Sequence, residues 1–375
     1  MLRSLSPVMD VDLLSLVHDD EEEAQVAAAK PLAATVTAVR VPRLLNMARS
    51  AVFLPTSRPT THTMLDSPQL AAEVERLVAA HRPDAVLAYC SGMARIALDP
   101  PLSGIPFVLD MLDVDSAKWE ALASTNRLPW SWIYAREARV LSRFERLAAE
   151  RSVATLVVTE RERQALKALA PKARVEVIGN GVEADHLRPP HDPSAEPRVV
   201  YCGVMNYAPN EEGAFWLVRQ VWPRVRAARP DAVLQIVGAH PTAAVKALAD
   251  LNCGIEVTGE VPDVRKYLWG SAVSVAPLLT ARGVQNKVLE AVAAGLPVVT
   301  TPVVAAGLPE EVLPACIVTG EPDGFADAII ALLTLLPAER RTKADQVDFT
   351  GLTWSRQLEP LHAILAEASR QPRFS

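Results

Sequence analysis

The sequence predicts an α/β protein built from two parallel-sheet halves, and three observations support this fold class. Segments with the pattern of buried strands alternate with helical patterns along the chain, which is typical of βαβ units. The segment Arg188–Arg198 (RPPHDPSAEPR) carries four prolines and no hydrophobic periodicity, so we expect a linker there. The length of 375 residues suits two to three domains with ample core.

The order of these patterns sets the domain bounds. We expect an N-terminal domain over residues 1–187, a linker over 188–198 and a C-terminal domain over 199–351. One more helical pattern follows, over residues 352–370.

Composition and charge argue against several classes of protein. A formal net charge of −6 and an isoelectric point near 5.7 argue against a nucleic-acid binder. No apolar run approaches the roughly 20 residues needed to span a membrane, and no secretory signal is legible. The histidines form no HxH or HxxxH pair that would indicate a zinc site. The scattered cysteines predict reduced thiols of a cytosolic protein; they are Cys90, Cys202, Cys253 and Cys316.

The segment from Ser274 to Gly307 carries the clearest functional pattern. It predicts a buried strand, a loop with one glycine, an amphipathic helix that starts near Gln285, and a second strand. Free N–H groups at a helix N-terminus bind anions, and a glycine lets the backbone approach the ligand. Arg282 and Lys287 add two positive charges at this point. A diphosphate is the ligand that this arrangement suits.

Glu290 lies on the opposite side of the predicted helix from the apolar residues, one turn past the anion site. A carboxylate in this position can accept hydrogen bonds from ribose hydroxyls. The alternative is an exposed glutamate that pairs with Lys287 at i, i+3, and spacing alone favours this alternative.

Four stretches in this order resemble the "group 1" glycosyltransferases, retaining enzymes of the GT-B fold. The stretches are LLTARGVQNKVLEAVAAGLPVVTTPVVAAGL, VVYCGVMNYAPNEEGAFWLV, GIEVTGEVPDVRKYLWGSAVSVAPL and VEVIGNGVEADHLRPP. The patterns GxMxYxPN, ARGxQNKVLEA and FVLDMLDVDSAKWEAL are most similar to sugar transferases of PEP-CTERM/exosortase exopolysaccharide systems. The resemblance covers nearly the whole chain.

The resemblance implies two Rossmann-like doubly wound domains that face a cleft, with the C-terminal helix packed back on the N-terminal domain. The C-terminal domain would hold a nucleotide-diphosphate sugar as co-substrate, without a metal or another cofactor, and Glu290 would be the ribose-binding carboxylate. The implied donor-binding residues are Gly203, Asn206, Arg282, Gly283, Val284, Asn286, Lys287 and Glu290.

The N-terminal half departs from the family pattern. The segment Asp10–Val17 resembles the family's second strand, so the first βα unit, with its glycine-rich loop, is missing. That strand is central in a doubly wound sheet, so its loss leaves a gap in the ladder or forces strand two against strand four. We expect either a late start or fragment, or a shortened enzyme.

Asp113 is the candidate catalytic residue. Many relatives carry a His-Asp pair here, and in this chain Leu112 replaces the histidine while Asp113 keeps the acid. The spacing Asp113–Val114–Asp115 also matches a DxD metal site, but Asp10–Val11–Asp12 shows how common that spacing is. We therefore expect no metal.

Arg282 is a second departure. Relatives often carry there the first of two glutamates, which contacts hydroxyls of the donor sugar. A guanidinium only donates hydrogen bonds, so sugar recognition must differ.

The segment Tyr134–Arg151 predicts a basic helix whose arginines at 136, 139, 143 and 146 share one flank. Such a flank suits peripheral contact with the inner face of a membrane or is an ordinary solvated surface, and the interleaved acids favour the second. Trp119, Trp130 and Trp132 could stack on a sugar, but we expect them to be packed in the interior.

The resemblance implies a cytoplasmic enzyme that transfers a sugar from a nucleotide diphosphate to a saccharide or lipid-linked acceptor with retention, in exopolysaccharide biosynthesis. Two alternatives stay open. One is a nucleotide-sugar epimerase or hydrolase on the same fold, which needs an acid/base pair that the sequence does not display. The other is a catalytically impaired or non-catalytic binding subunit, which the missing first unit and Arg282 favour.

Overall fold

The computed structural model describes residues 1–191, 194–251, 254–281 and 283–371. The chain forms two compact units. Unit 1 takes Met1–Gly179 together with the chain from Leu358 onward, and unit 2 takes Asn180–Gln357.

Twelve β-strands are present in the described residues. In chain order they are β1 (Asp12–Val17), β2 (Thr35–Arg40), β3 (Val86–Tyr89), β4 (Phe107–Leu112), β5 (Ala154–Val157), β6 (Val175–Val177), β7 (Arg198–Cys202), β8 (Val233–Val237), β9 (Ile255–Gly259), β10 (Val273–Ala276), β11 (Val298–Thr300) and β12 (Cys316–Val318).

The α-helices alternate with these strands. They are α1 (Leu2–Leu5), α2 (Asp20–Ala27), α3 (Arg43–Phe53), α4 (Thr60–Met64), α5 (Pro68–Ala80), α6 (Ser91–Leu98), α7 (Asp115–Thr125), α8 (Trp130–Arg151), α9 (Glu160–Leu169), α10 (Ala184–Leu187), α11 (Ala208–Trp216), α12 (Trp222–Ala228), α13 (Ala243–Lys246), α14 (Arg265–Trp269), α15 (Asn286–Ala293), α16 (Pro302–Ala305), α17 (Pro322–Thr334), α18 (Pro337–Ala344), α19 (Trp354–Gln357) and α20 (Glu359–Arg370). Short 3₁₀ helices cover Lys30–Leu32, Ala249–Leu251, Glu310–Ala315 and Thr350–Leu352, and a π-helical turn, Leu217–Val221, joins α11 to α12.

Unit 2 is a doubly wound domain with one continuous sheet. Its six parallel strands have the order β12-β11-β10-β7-β8-β9. The central strands β7, β8 and β10 are almost entirely buried, as expected for strands with helices on both faces. The strand order reverses between β7 and β10, and in open α/β sheets ligands bind at the carboxyl ends of the strands beside such a switch point.

Unit 1 carries two separate parallel sheets, β1-β2 and β3-β4-β5-β6. Within the described residues no strand pairs β1 with β3, so the ladder is interrupted there. A gap is one of the two arrangements that the sequence predicts. A continuous sheet would have the same doubly wound order as unit 2, with one strand between β1 and β3.

The last helix belongs to unit 1. Leu361 and Ala368 of α20 are fully buried. Arg174 donates a hydrogen bond from Nη1 to Glu367 Oε2 at 2.7 Å, and Ser4 Oγ lies 2.8 Å from His362 Nε2. These contacts attach α20 to the body of unit 1.

The boundary between the units lies after Gly179, upstream of the linker at 188–198 that the sequence predicts. The physical reason is that the intervening residues are bonded to unit 2. The backbone N–H of Val182 donates to the carbonyl of Leu352 at 2.8 Å, and the indole of Trp269 donates to the carbonyl of Leu187 at 2.7 Å. Composition reveals a flexible stretch, but it does not reveal these long-range bonds.

Two expectations for the helical region of unit 1 are wrong. Arg136 does not share the exposed flank of α8, because its guanidinium is buried against Glu137, at 2.7 Å, and against backbone carbonyls of the 53–58 segment. Trp130 and Trp132 are exposed rather than packed in the interior. Arg139, Arg143 and Arg146 are exposed as expected.

Among the described residues, no helix combines the length and the apolar composition that crossing a membrane requires. Cys90, Cys202 and Cys316 carry free thiols, and Cys253 lies outside the described residues.

Candidate functional site

The predicted strand–loop–helix segment of unit 2 has the expected local structure. Strand β10 ends at Ala276, and α15 begins at Asn286 with Gln285 as its N-cap residue. The stripe Val288, Leu289 and Val292 is buried, which fixes the face that α15 turns to the core. Gly295, with a φ of +82°, lies just after the end of the helix, in the left-handed conformation typical of a helix end.

Lys287 lies at the switch point between β7 and β10. Its Nζ donates a hydrogen bond to Asn210 Oδ1 at 2.6 Å and lies 5.0 Å from the centre of the Tyr201 ring. Tyr201 belongs to β7, whereas Lys287 belongs to the first turn of α15, which follows β10. The residues of β7 and the residues that follow β10 therefore meet at this ammonium group.

Asn210 is itself held in place. Its Nδ2 donates to the carbonyl of Val204 at 2.9 Å, and its backbone carbonyl accepts a hydrogen bond from the Tyr201 hydroxyl at 3.0 Å. The side chain is buried in the first turn of α11. Asn210 therefore presents its amide oxygen to Lys287 in a fixed direction.

Burial lowers the pKa of Lys287 to about 8, while the nearby Cys202 and Glu290 act in the opposite direction. The ammonium form has lost most of its water, and the amide of Asn210 together with the charge of Glu290 compensates that loss only in part. An anion that enters the crevice would restore the missing partner and raise this pKa. A buried cation of this kind at a switch point is suited to a phosphate group.

Glu290 lies one turn further along α15. Burial raises its pKa, and Lys287 lowers it by charge attraction. Among the described residues Glu290 has no ion-pair partner within 4.0 Å, so the i, i+3 ion pair that spacing favours does not form. Its carboxylate remains able to accept hydrogen bonds from a ligand.

Two glycines allow the backbone to come close to the site. A Cβ at Gly203 would lie 2.9 Å from Asn210 Nδ2 and 3.1 Å from Lys287 Nζ, so any side chain would occupy the space beside the ammonium. Gly283 adopts a φ of +61°, which favours glycine. These positions keep the crevice open.

The other predicted donor-binding residues differ in their placement. Val284 packs against the core of unit 2, and the buried Oδ1 of Asn286, the first residue of α15, has no hydrogen-bond partner among the described residues. Asn206 is exposed in the loop after β7. Arg282 lies outside the described residues. The structure thus brings together Gly203, Lys287 and Glu290.

Asn210 is the residue that the site prediction omits. Nothing in its local sequence indicates a partner 77 positions away. The signal in the sequence that could have indicated Asn210 is its position. It follows a proline in the first turn of α11, the helix after β7.

In unit 1, the candidate Asp113 directly follows β4. Leu112 has a φ of +64°, and the N–H of Asp113 donates to the carbonyl of Met111 at 2.8 Å, so the chain turns sharply here. A non-glycine residue with positive φ stores strain, and such residues are concentrated at functional sites. Asp113 is half-buried at the carboxyl edge of its sheet.

Asp115, the second acid of the DxD spacing, is already engaged by a side chain of α6. Asp115 accepts a hydrogen bond from Ser91 Oγ at 2.7 Å and lies in the first turn of α7. No cluster of three or more metal-ligating side chains is present among the described residues.

Two buried carboxyl groups near Asp113 have no signal in the sequence. Burial raises the pKa of Glu145 to about 7, although hydrogen bonds from the hydroxyl and the N–H of Ser116 favour its charged form. Burial also raises the pKa of Asp110 to about 6. The carboxyl edge of this sheet therefore holds acids that change protonation near neutral pH.

Two family models match the chain and together cover most of its length. The model described as "Glycosyl transferase 4-like domain" matches residues 7–181, and the model described as "Glycosyl transferases group 1" matches residues 196–335. No curated protein matches the chain.

Solved structures of the same fold are distant in sequence. Trehalose-phosphate synthase of Burkholderia xenovorans has a TM-score of 0.62 and 13% identity, over 97% of this chain and 100% of that one. HepE of Anabaena, in complex with UDP and glucose, has a TM-score of 0.63 and 13% identity, over 95% and 99%. TarM of S. aureus, in complex with UDP, has a TM-score of 0.59 and 15% identity over 80% of this chain, which spans 58% of the length of TarM.

These similarities agree with the two doubly wound units and with the crevice at the switch point of unit 2. The fold is GT-B. The chain belongs to the group 1 glycosyltransferases.

Proposed function

We propose that the protein transfers a sugar from a nucleotide-diphosphate donor to a saccharide or lipid-linked acceptor, with retention of anomeric configuration. The observation that carries this proposal is the buried Lys287, held by Asn210 beside Gly203 at the switch point of unit 2. A desolvated ammonium group at this place is suited to a diphosphate.

The donor diphosphate would lie against Lys287 and the N-terminus of α15, and the ribose would lie at Glu290. We propose Gly203 and Gly283 as close backbone contacts and Arg282 as a second cation near the phosphates. Asn206, Val284 and Asn286 remain proposed as donor-binding residues. A uridine-diphosphate sugar is the donor class we favour, since HepE and TarM were solved with UDP.

The chemistry that we propose needs no protein nucleophile. The donor phosphate assists the deprotonation of the acceptor hydroxyl on the face from which the leaving group departs. The protein orients the reactants and stabilises the charge that develops on the leaving diphosphate. Lys287, Arg282 and the helix N-terminus would do this without a metal ion. Asp113 would orient the acceptor.

The cellular role is proposed from the sequence patterns alone. The similarity to sugar transferases of PEP-CTERM/exosortase systems supports exopolysaccharide biosynthesis. We place the reaction in the cytoplasm, peripheral to the cytoplasmic membrane, where a lipid-linked acceptor would be located.

Binding of a panel of nucleoside diphosphates, measured by calorimetry without metal, tests the donor site. We expect one diphosphate to bind in the micromolar range and Lys287→Ala and Glu290→Gln each to weaken it at least tenfold, about 1.4 kcal/mol. Lys266→Ala and Glu310→Gln, at exposed positions of unit 2, are matched controls that should leave affinity unchanged. Equal binding by all five proteins would contradict the proposal.

The second candidate function is a non-catalytic donor-binding subunit. It is favoured by Leu112, which occupies the place of the usual histidine and has a strained backbone. Release of nucleoside diphosphate from the preferred donor, with a lipid extract as acceptor, separates the two. Transfer with retention, seen in the anomeric NMR signals of the product, supports the enzyme. Donor binding without any turnover supports the binding subunit.

A further inference from the structure

Helix α3 of unit 1 is oriented with its polar side inward. Asn46 and Ser50 are buried, and Asn46 Nδ2 donates to the carbonyls of Met64, at 3.1 Å, and Asp66, at 2.7 Å. The opposite side is apolar and faces solvent, with Leu44 83% and Val52 73% exposed. An amphipathic helix in a globular domain normally has the reverse orientation, so the exposed side of α3 needs a partner.

A second group of exposed apolar side chains lies where α7 turns into α8. Leu128 is 79% exposed, and Trp130 and Trp132 are 56% and 58% exposed. Ser116, near the start of α7, is bonded to Glu145 in the middle of α8, so the two helices run antiparallel. The first turns of α8 therefore project past the carboxyl end of β4.

The two groups belong to one side of unit 1, because α8 is bonded to the chain that follows α3. Arg136 donates hydrogen bonds to the carbonyls of Phe53, at 3.3 Å, and Arg58, at 2.6 Å. Trp132 lies one turn before Arg136 on the same side of α8. We call these residues together the apolar surface; its members are Leu44, Leu45, Met47, Val52, Leu128, Trp130 and Trp132.

The charges around the apolar surface are positive. Between Glu23 and Asp66 the chain carries five basic residues and no acidic residue. The carboxylate of Asp66 is in turn neutralised by Arg49, Arg58 and Arg95. Arg43, at the start of α3, and Arg127, beside Leu128, are exposed at the two parts of the surface.

Helix α2 carries four acidic side chains, and three of them contact a basic side chain. Asp20 and Glu23 form ion pairs with Arg40, and Glu22 contacts His18 at 3.0 Å. The fourth, Glu21, is exposed. The positive charge of the apolar surface therefore depends on Arg43 and Arg127.

We propose that the apolar surface docks unit 1 on a membrane that contains anionic phospholipid. Exposed tryptophans favour the interface between headgroups and acyl chains. An amphipathic helix with an apolar side and flanking arginines binds in the plane of that interface. The exposed Arg43 and Arg127 at its two parts match the charge of an anionic leaflet. The inference deepens the peripheral membrane location proposed above by naming the surface that makes the contact. It does not depend on the donor chemistry, since the proposed donor site lies in unit 2.

Cosedimentation of the full chain with lipid vesicles tests the docking surface. We expect binding to vesicles of equal parts phosphatidylcholine and phosphatidylglycerol, and weak binding to phosphatidylcholine alone. Leu44→Ser with Val52→Ser, and separately Trp130→Ala with Trp132→Ala, should each lower the partition coefficient at least about tenfold. Arg43→Gln with Arg127→Gln should lower binding to the anionic vesicles only. Leu336→Ser, at an exposed apolar position of unit 2, is the matched control and should bind as wild type does.

Two outcomes would overturn the proposal. One is the absence of binding to anionic vesicles at low salt, or binding that none of the surface variants reduces. The other is a concentration-dependent dimer, seen by sedimentation velocity, that Leu44→Ser with Val52→Ser dissociates, because the surface would then join two copies of the chain. Nucleoside-diphosphate affinity, measured on each variant, shows that it is folded and separates failure of docking from failure of the donor site.

Discussion

The crevice of unit 2 and the carboxyl edge of unit 1 are both formed where parallel strands end, but they differ in what holds their polar groups. In unit 2 one continuous sheet brings β7 and β10 together, and Lys287 has a fixed partner in Asn210. In unit 1 the sheet is interrupted, and buried acids such as Glu145 are held by helix–helix bonds instead.

This difference separates two kinds of design. Where the sheet is continuous, neighbouring strands hold a charged group and its partner side by side. A site of this kind is almost complete before a ligand binds. An interrupted sheet relies on side chains that join distant segments, and its stability depends on each such bond. Substitutions that remove one such bond in either unit therefore test the contrast.

Glu137 should be essential to the stability of unit 1. Its carboxylate accepts hydrogen bonds from the N–H groups of Thr60 and Thr61, at 3.0 and 2.9 Å, and forms a buried ion pair with Arg136. Glu137→Ala leaves that guanidinium uncompensated, so we expect a loss of about 3–5 kcal/mol in the free energy of unfolding. Urea denaturation followed by circular dichroism measures it.

The matched control for this prediction is the exposed ion pair between Arg163 and Glu160 on α9. Glu160→Ala should leave the midpoint unchanged, because exposed pairs contribute little. If Glu137→Ala also left the denaturation midpoint unchanged, the long-range bonds of Glu137 would not contribute to the stability of unit 1.

Asn210 should act as a positioning residue for Lys287. Asn210→Ala removes the bond to the ammonium group, so we expect the affinity for the preferred nucleoside diphosphate to fall by about 1.5–3 kcal/mol. Asn210→Asp should largely restore the orientation of Lys287 and raise its pKa above the present value of about 8.

The pH dependence distinguishes this role from a merely structural one. The wild-type affinity should decrease as the pH rises through about 8, because neutral Lys287 no longer attracts the diphosphate. In Asn210→Asp the decrease should move to higher pH. Calorimetry at intervals from about pH 7 to about pH 10 measures the diphosphate affinity of the wild type and of Asn210→Asp. If the affinity of both proteins depended on pH in the same way, the positioning role would be refuted.

Glu145 should make unit 1 less stable as the pH rises. Its pKa is raised from 4.5 to about 7 in the folded state, so the folded state binds the proton more tightly than the unfolded state does. The resulting stabilisation is complete below 4.5 and is lost as the pH rises through about 7.

In Glu145→Gln this dependence should be absent. The difference in unfolding free energy between variant and wild type should therefore grow by about 3 kcal/mol between acidic and neutral pH, since one pKa unit corresponds to about 1.4 kcal/mol. Urea titrations at both pH values measure it. A difference that does not change with pH would show that Glu145 is charged throughout.

The sequence predicts unit 2 better than unit 1, for reasons visible in particular residues. Helix α15 is predictable because its apolar spacing and Gly295 are local signals. The bond between Lys287 and Asn210 is not, because it depends on which strands lie side by side. The proximity of Gly203 to the same ammonium depends on this as well.

In unit 1, spacing misleads. Helical periodicity groups Arg136 with the exposed arginines of α8. Its guanidinium is buried instead, because it donates hydrogen bonds to carbonyl groups about 80 positions earlier in the chain. The apolar residues of α3 have a clear period, yet the pattern alone does not reveal that they face solvent. Periodicity identifies two faces of a helix, and only long-range contacts decide which of them is inside.

The passage of the chain between the units has a consequence for biosynthesis. Unit 2 is one uninterrupted segment, Asn180–Gln357, whereas unit 1 includes α20 from beyond it. During translation unit 2 can complete its core while unit 1 still lacks the helix that buries Leu361 and Ala368. Unit 1 can therefore complete its core only after the whole of unit 2 and then α20 have been made. Truncation after Gln357 would leave unit 2 intact and unit 1 without one of its helices.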